Sequence, residues 1–246
     1  FDIVHLNLHK TFAVPHGSGG PGSGPVGVKK ELVKFLPKPR ILKEGETYLL
    51  EERAPDSIGK LRTFFGNFGA ILRSYAYIKA LGAEGLRAVS ENAIINANYL
   101  RVQLRGLYEI PYDTPCMHEF VMSATRQKKK GARALDIAKR LLDYGVHAPT
   151  VYFPLVVEEA MMVEPTETES RETLDAFVEI LQKIEKEIDG SLETVTEAPH
   201  TTPVGRIDEV RAARQLDLRY REAGSSQIAA GSKGMFKNFV MAKPCS

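Results

Sequence analysis

The sequence predicts an α/β protein, and three observations carry that prediction. Apolar residues recur at helical spacing in Ala134, Ile137, Ala138 and Leu141, and again in Leu174, Phe177, Val178, Leu181, Ile184 and Ile188. Short apolar runs bounded by breakers, such as Ile3 to Leu8 and Ala160 to Val163, fall between the helical stretches and read as strands. The first of these runs leads through Lys10 into Pro15–Pro25, a loop dense in glycine and proline. The loop after a strand is where α/β proteins commonly place their chemistry.

In chain order, Phe1 to Leu8 is predicted as a buried strand. Pro15 to Gly27 holds too many permissive residues for regular structure. Val26 to Phe35 reads as a short strand passing into a helix, and Lys38 to Arg62, polar and proline-bearing, as irregular. Phe64-Phe65-Gly66-Asn67-Phe68-Gly69 opens a helical region, with Ile71 to Leu81 ending at Gly82. A second long helix begins near Leu86, with Val89, Ala93, Ala97, Leu100 and Leu104 on one stripe, and stops at Gly106. Tyr108 to Tyr112, His118 to Ser123, Pro149 to Leu155 and Ala160 to Val163 are strand candidates. The helix around Ile137 closes at Gly145. The helix through Leu181 closes at Gly190, and either Thr166 with Glu169 or Ser170 caps its start. Beyond Glu197–His200 the apolar rhythm is lost.

Charge and cysteine usage exclude several classes. The chain has 33 basic against 31 acidic residues, a balance that argues against nucleic-acid binding. The run Arg126 to Lys130 with Arg133 reads as a solvated loop. Two distant cysteines, Cys116 and Cys245, form neither a disulfide framework nor a metal box and suit a reducing compartment. No metal site is expected. The uncharged stretch Thr11 to Val28 is too rich in glycine and proline for a membrane helix, and no secretory leader opens the chain. Gly27-Val28-Lys29 does not complete a Walker motif. A phosphate-contacting or mobile loop and a tightly packed turn both remain open readings of Pro15–Gly27.

Lys10 stands at the end of the first strand. A lysine desolvated there has a lowered pKa and becomes a nucleophile for a carbonyl, whereas a solvated lysine does not. His5, His9, Thr11 and His16 surround it in sequence. His5 and His16 suit packed, hydrogen-bonded structure at least as well as catalysis.

The string His5-Leu6-Asn7-Leu8-His9-Lys10-Thr11-Phe12, followed by Pro15-His16-Gly17 and the glycine–proline loop, resembles the lysine segment of the glycine cleavage system P-protein, a glycine dehydrogenase (decarboxylating). The likeness continues through Gly82–Leu86, Asn96–Tyr99, Leu135–Leu141, His147-Ala148-Pro149-Thr150 and Met162–Glu167, so it spans nearly everything from Phe1 to about Tyr220. The resemblance implies the fold of PLP-dependent transferases (fold type I), with a late large-domain strand followed by a carboxy-terminal α/β small domain. It implies pyridoxal 5'-phosphate as cofactor, Lys10 as the Schiff-base lysine and catalytic residue, and His9 and Thr11 as cofactor-binding neighbours. It implies glycine decarboxylation with transfer of the aminomethyl group to the lipoyl arm of H-protein. His147 and Thr150 are implied near the mouth of the active site, a place that packing explains as well.

A fold-type-I enzyme needs strands ahead of its lysine, and Phe1 stands only a few residues before the first strand. The chain is therefore expected to be the carboxy-terminal, subunit 2-like part of a larger enzyme, partnered by an upstream half or partner subunit in a dimer or heterotetramer. The expected divisions are 1–85, a remnant of the PLP-binding large domain; 86–200, the small domain; and 201–246, an irregular tail that departs from the family pattern after Arg221. A cytoplasmic setting is expected, or the mitochondrial matrix in a eukaryote. Two other readings stand beside this one: another fold-type-I decarboxylase or aminotransferase, and a non-catalytic scaffold half of such an enzyme.

Overall fold

A computed structural model describes residues 1–16, 20, 22–61 and 66–218. The expectations for Gly17–Gly19, Pro21, Phe64–Phe65 and the tail from 219, with Cys245, lie outside the described residues.

The main core lies in the carboxy-terminal half. Strands β5 (Phe120–Ser123), β6 (Thr150–Val151) and β7 (Ala160–Val163) form an antiparallel sheet in the order β5-β7-β6. The register pairs Phe120 with Val163 and Met122 with Met161, so these four share one face, and all four are buried. Helix α2 (Phe68–Leu104) brings Leu100 and Leu104 to this core. Helix α4 (Ala134–Asp143) adds Ile137 and Leu141, and helix α5 (Arg171–Gly190) adds Leu174, Val178, Leu181, Ile184 and Ile188. Each large side chain withdrawn from water here contributes about 1.5–3 kcal/mol of transfer free energy. Two short helices, α3 (Thr125–Lys129) and α6 (Leu192–Thr196), complete this half, and α7 (Glu209–Arg214) follows it.

Helix ends follow local chemistry. Ser170 caps α5, its hydroxyl accepting the Thr173 N–H at 3.3 Å, which decides between the two capping candidates. The N–H of Ala134 donates to the buried Glu159 carboxylate at 2.9 Å, and that of Arg133 donates to Asp136 at 2.8 Å. Gly145, at φ +73°, ends α4 in the left-handed conformation expected of it. Arg140 then ties α4 to α5 through two hydrogen bonds to Glu187, at 2.9 and 2.8 Å.

The amino-terminal half is built differently. Among the described residues, strand β1 (Ile3–His5) pairs only with β2 (Val26–Val28), antiparallel, with Ile3 opposite Val28 and His5 opposite Val26. Between them lies the single turn α1 (Leu8–Thr11), and a 3-10 helix (Lys30–Phe35) follows β2. The expected buried strand is thus corrected in two ways. It is shorter, because the turn at Leu8 ends it. It is also exposed on both faces, because no other described element covers it.

Three further expectations are corrected. Lys38 to Arg62 is not wholly irregular: β3 (Arg40–Glu44) and β4 (Thr47–Glu51) form a five-pair hairpin turning at Gly45-Glu46, with Gly45 at φ +61°. Tyr108 to Tyr112 makes only isolated bridges, because the chain turns away after Glu109 pairs with Ser123. Of Pro149 to Leu155, only Thr150–Val151 is strand; Tyr152 takes φ +58° and leaves the ladder. The two helices expected on either side of Gly82 do occur, meeting within α2 at a break where Gly82 adopts φ 61°, ψ −172°.

Candidate active site at the lysine turn

Lys10 is displayed by a backbone knot. Asn7 is extended, and its carbonyl accepts the N–H groups of both Lys10 and Thr11, at 3.1 and 3.2 Å, closing the α1 turn. Ala13 then enters the left-handed region at φ 52° and donates to the Lys10 carbonyl at 3.2 Å. Leu8 and Val14 are buried on either side and anchor the turn. The second arm returns antiparallel to the first: Leu8 N–H donates to Ser23 O at 2.9 Å, and Leu6 N–H to Pro25 O at 3.2 Å. The glycine–proline loop is therefore tied at its base, and the lysine stands where the ladder ends.

The histidines pack on this ladder. His5 Nε2 lies 2.7 Å from Asn7 Oδ1, and the His5 ring fills the space that a side chain on Gly24 would need. His9 Nδ1 accepts the backbone N–H of Ser23 at 3.4 Å. A Cβ on Gly22 would fall 2.5 Å from that same nitrogen, so only glycine allows this approach. His16 meets His9 edge-on, with ring centroids 4.6 Å apart and planes at 61°.

Lys10 itself is exposed in this chain, the solvated of the two readings the sequence allowed, as is Thr11; its ammonium makes no ion pair among the described residues. The lysine turn packs against α2, where Asn67 caps the helix by accepting the Ala70 N–H at 3.3 Å. One turn beyond Ala70, Ser74 is buried with its hydroxyl unpartnered. An unpaired amine with an imidazole and a hydroxyl, those of His9 and Thr11, flanking it in one turn is a set that suits a carbonyl-bearing anionic ligand. Among the described residues, no cluster of three or more His, Cys, Asp or Glu side chains is arranged to hold a metal ion. No described helix is long and apolar enough to cross a membrane.

The structure brings Lys10, His9, Thr11, His5 and His16 together, and sets His147 and Thr150 apart from them. Those two line a cavity of about 690 Å³ in the carboxy-terminal half, walled also by Leu100, Glu164, Thr166 and Phe177. Thr150 and Met162, paired across β6 and β7, reach it from the sheet. Two sequence motifs, His147–Thr150 and Glu164–Thr166, thus share one cavity that Lys10 does not line. Sequence reasoning missed Asn7 and Ser23. Their backbone groups do the work, and no side-chain pattern announces it.

Residues 89–203 match the family described as "Glycine dehydrogenase, C-terminal domain". A probable glycine dehydrogenase (decarboxylating) subunit 2 from Halalkalibacterium halodurans is 59% identical over 222 residues, covering 90% of this chain and 46% of the relative. Over these residues the chain is similar to the carboxy-terminal part of the glycine dehydrogenase (decarboxylating) family. The corresponding protein of Oceanobacillus iheyensis is 60% identical over 220 residues, covering 89% of this chain and 45% of its own length. This chain therefore spans about half the length of the curated relatives it matches, and its similarity is to the carboxy-terminal domain of glycine dehydrogenase.

Solved structures show the fold. A glycine decarboxylase (P-protein) of the glycine cleavage system, in inhibitor-bound form, superposes with a TM-score of 0.62 at 22% identity, over 74% of this chain and 43% of that one. A cysteine desulfurase from Thermococcus onnurineus gives 0.55 at 15%, over 75% and 47%. The α/β fold of this chain is that of the fold-type-I enzymes, as expected.

Proposed function

We propose that this chain carries the lysine-bearing part of a glycine decarboxylase that passes the aminomethyl group of glycine to the lipoyl arm of H-protein. The observation that carries the proposal is the lysine turn: Lys10 stands unpaired at the end of a two-armed ladder, in a chain whose relatives are named as subunit 2 of glycine dehydrogenase. In this reading Lys10 Nζ is the nucleophile that holds pyridoxal phosphate through its aldehyde, and His9 and Thr11 hold its anionic group. When bound, the cofactor supplies the electron sink that makes loss of the glycine carboxylate feasible. Lys10 Nζ would also be the group that holds and moves a proton at this site.

Residues 1–85 then belong to the cofactor-binding domain, 86–200 to the small domain, and 201–246 to a tail. The outer edges of β1 and β2 are where an upstream half or partner subunit adds its strands, within a dimer or heterotetramer in the cytoplasm. The test is borohydride trapping. Pyridoxal phosphate added to the chain, with the remainder of the enzyme supplied, gives a visible band that reduction abolishes. Peptide mass spectrometry then finds the pyridoxyl group on Lys10. A label on any other lysine overturns the assignment.

A further inference from the structure

His16, which follows the lysine in the same motif, has been given no role so far. It lies across the loop from His9, and its ring edge abuts the His9 ring at 4.6 Å. His9 is confined on two other sides. Ser23 N–H points at its Nδ1 from 3.4 Å, and the Cα of Gly22 leaves no room beyond the ring. A hydrogen bond of that length holds a ring weakly by itself, because donor–acceptor attraction falls off steeply past the usual 2.7–3.2 Å. The His16 edge supplies the missing constraint.

This confinement has a chemical consequence. With Nδ1 accepting a backbone N–H, the proton of the neutral ring belongs on Nε2, since the bond made by one ring nitrogen dictates the state of the other. His9 precedes Lys10 in the same single turn, so a ring fixed relative to the backbone is also fixed relative to the base of the lysine side chain.

We propose that His16 is a positioning residue: with Ser23 N–H and Gly22, it holds the His9 imidazole as an Nε2–H donor aimed at the anionic group of the cofactor bound at Lys10. The proposal rests on the reading of Lys10 as the cofactor lysine. It assigns His16 no contact with substrate or cofactor of its own, and it makes the loop glycine at 22 a matter of ring clearance.

The test separates orientation from folding. In the full chain, nitrogen chemical shifts of labelled histidine report the His9 tautomer directly, without cofactor. The expected result is a predominant Nε2–H form that becomes a tautomer mixture in His16→Ala and returns in His16→Phe, which restores an aromatic edge. In parallel, affinities for pyridoxal phosphate and for pyridoxal are read from the imine absorbance of the chain supplied with the remainder of the enzyme. His16→Ala is expected to weaken pyridoxal phosphate binding about tenfold and to leave pyridoxal unchanged, the loss of one oriented hydrogen bond. In a His9→Ala background the same change is expected to cost nothing further. An unchanged tautomer in His16→Ala, an equal fall in both affinities, or a further loss in the His9→Ala background overturns the proposal alone. Absence of any imine band at Lys10 in the unaltered protein overturns the reading of Lys10 and the proposal with it.

Discussion

The carboxamide of Asn96, on α2, donates to two backbone carbonyls at once: Thr166 at 2.9 Å and Glu169 at 3.2 Å. One side chain thereby fastens the segment after β7 to the long helix, across 70 residues of sequence. That segment forms a wall of the 690 Å³ cavity. Replacing Asn96 with Ala leaves two carbonyls to water and is expected to destabilise by about 1–2 kcal/mol. Hydrogen exchange should rise at residues 166–169 while the α4–α5 contact stays protected. Unchanged exchange there would show that the segment is held by its own packing.

Lys10→Ala should abolish covalent cofactor attachment and lower glycine decarboxylation by several orders of magnitude in the assembled enzyme, because the nucleophile is gone. The side chain is exposed and makes no ion pair among the described residues, so stability should change by no more than about 0.5 kcal/mol. Thermal unfolding beside borohydride labelling checks both halves of the expectation. A large drop in Tm would mean that the amine has a structural partner.

Asp143 joins the end of α4 to the segment after α6. Burial disfavours its charge, but the N–H groups of Thr201 and His200, then Arg140 and the Thr201 hydroxyl, outweigh burial and hold the carboxyl down to about 2 from 3.8. The folded value lies below the unfolded one, so the charged form stabilises the fold. That contribution, about 2 kcal/mol, is fully present above about pH 4 and is lost as pH falls toward 2. Asp143→Asn should remove it at neutral pH and flatten the acid limb of the stability curve. Urea titrations between pH 2 and 6 provide the measurement. An acid limb identical to that of the unaltered chain would place the effect elsewhere.

The β3–β4 hairpin exposes apolar side chains on both faces. Ile41 and Leu50 pair on one, while Leu42 and Leu49 pair on the other, and Ile41 is 67% exposed. An isolated hairpin of this length is marginal in water. The chain by itself is expected to associate through such surfaces. Ile41→Lys with Leu50→Lys should raise the monomer fraction in sedimentation experiments without lowering the Tm of the carboxy-terminal core. Association that persists undiminished would point instead to β1 and β2, where Ile3 and Val26 are bare.

The apolar surroundings of Leu181 predict the ordinary cost of a cavity. Leu181 is fully buried between α5 and the sheet, and Leu181→Ala should cost about 2–5 kcal/mol, read as a matching fall in chemical stability. Phe177, on the same helix but facing the cavity, should cost less when truncated, because it is only partly buried.

The sequence by itself determined the elements whose cause is local. The stripes of α4 and α5 follow from 3.6-residue periodicity, and their ends from Ser170, Gly145 and Gly190. The break at Gly82 follows from a residue that accepts positive φ at little cost. The lysine motif was legible as well, since Lys10 and its neighbours are consecutive in sequence. Only the tertiary structure decided the rest. The β3–β4 hairpin escaped notice because its apolar residues fall on both faces and leave no alternation to read. The exposure of β1 depends on what lies against it, which no property of Ile3 to His5 reveals. His9, His16, Gly22 and Ser23 became one cluster only when the ladder from Leu6 to Pro25 closed and brought the return arm onto the lysine turn. His147 and Glu164 met in one cavity only when β7 paired with β6. In each case the deciding interaction joins residues distant in sequence, and its energy exists only after backbone hydrogen bonding and core burial have set the chain's path.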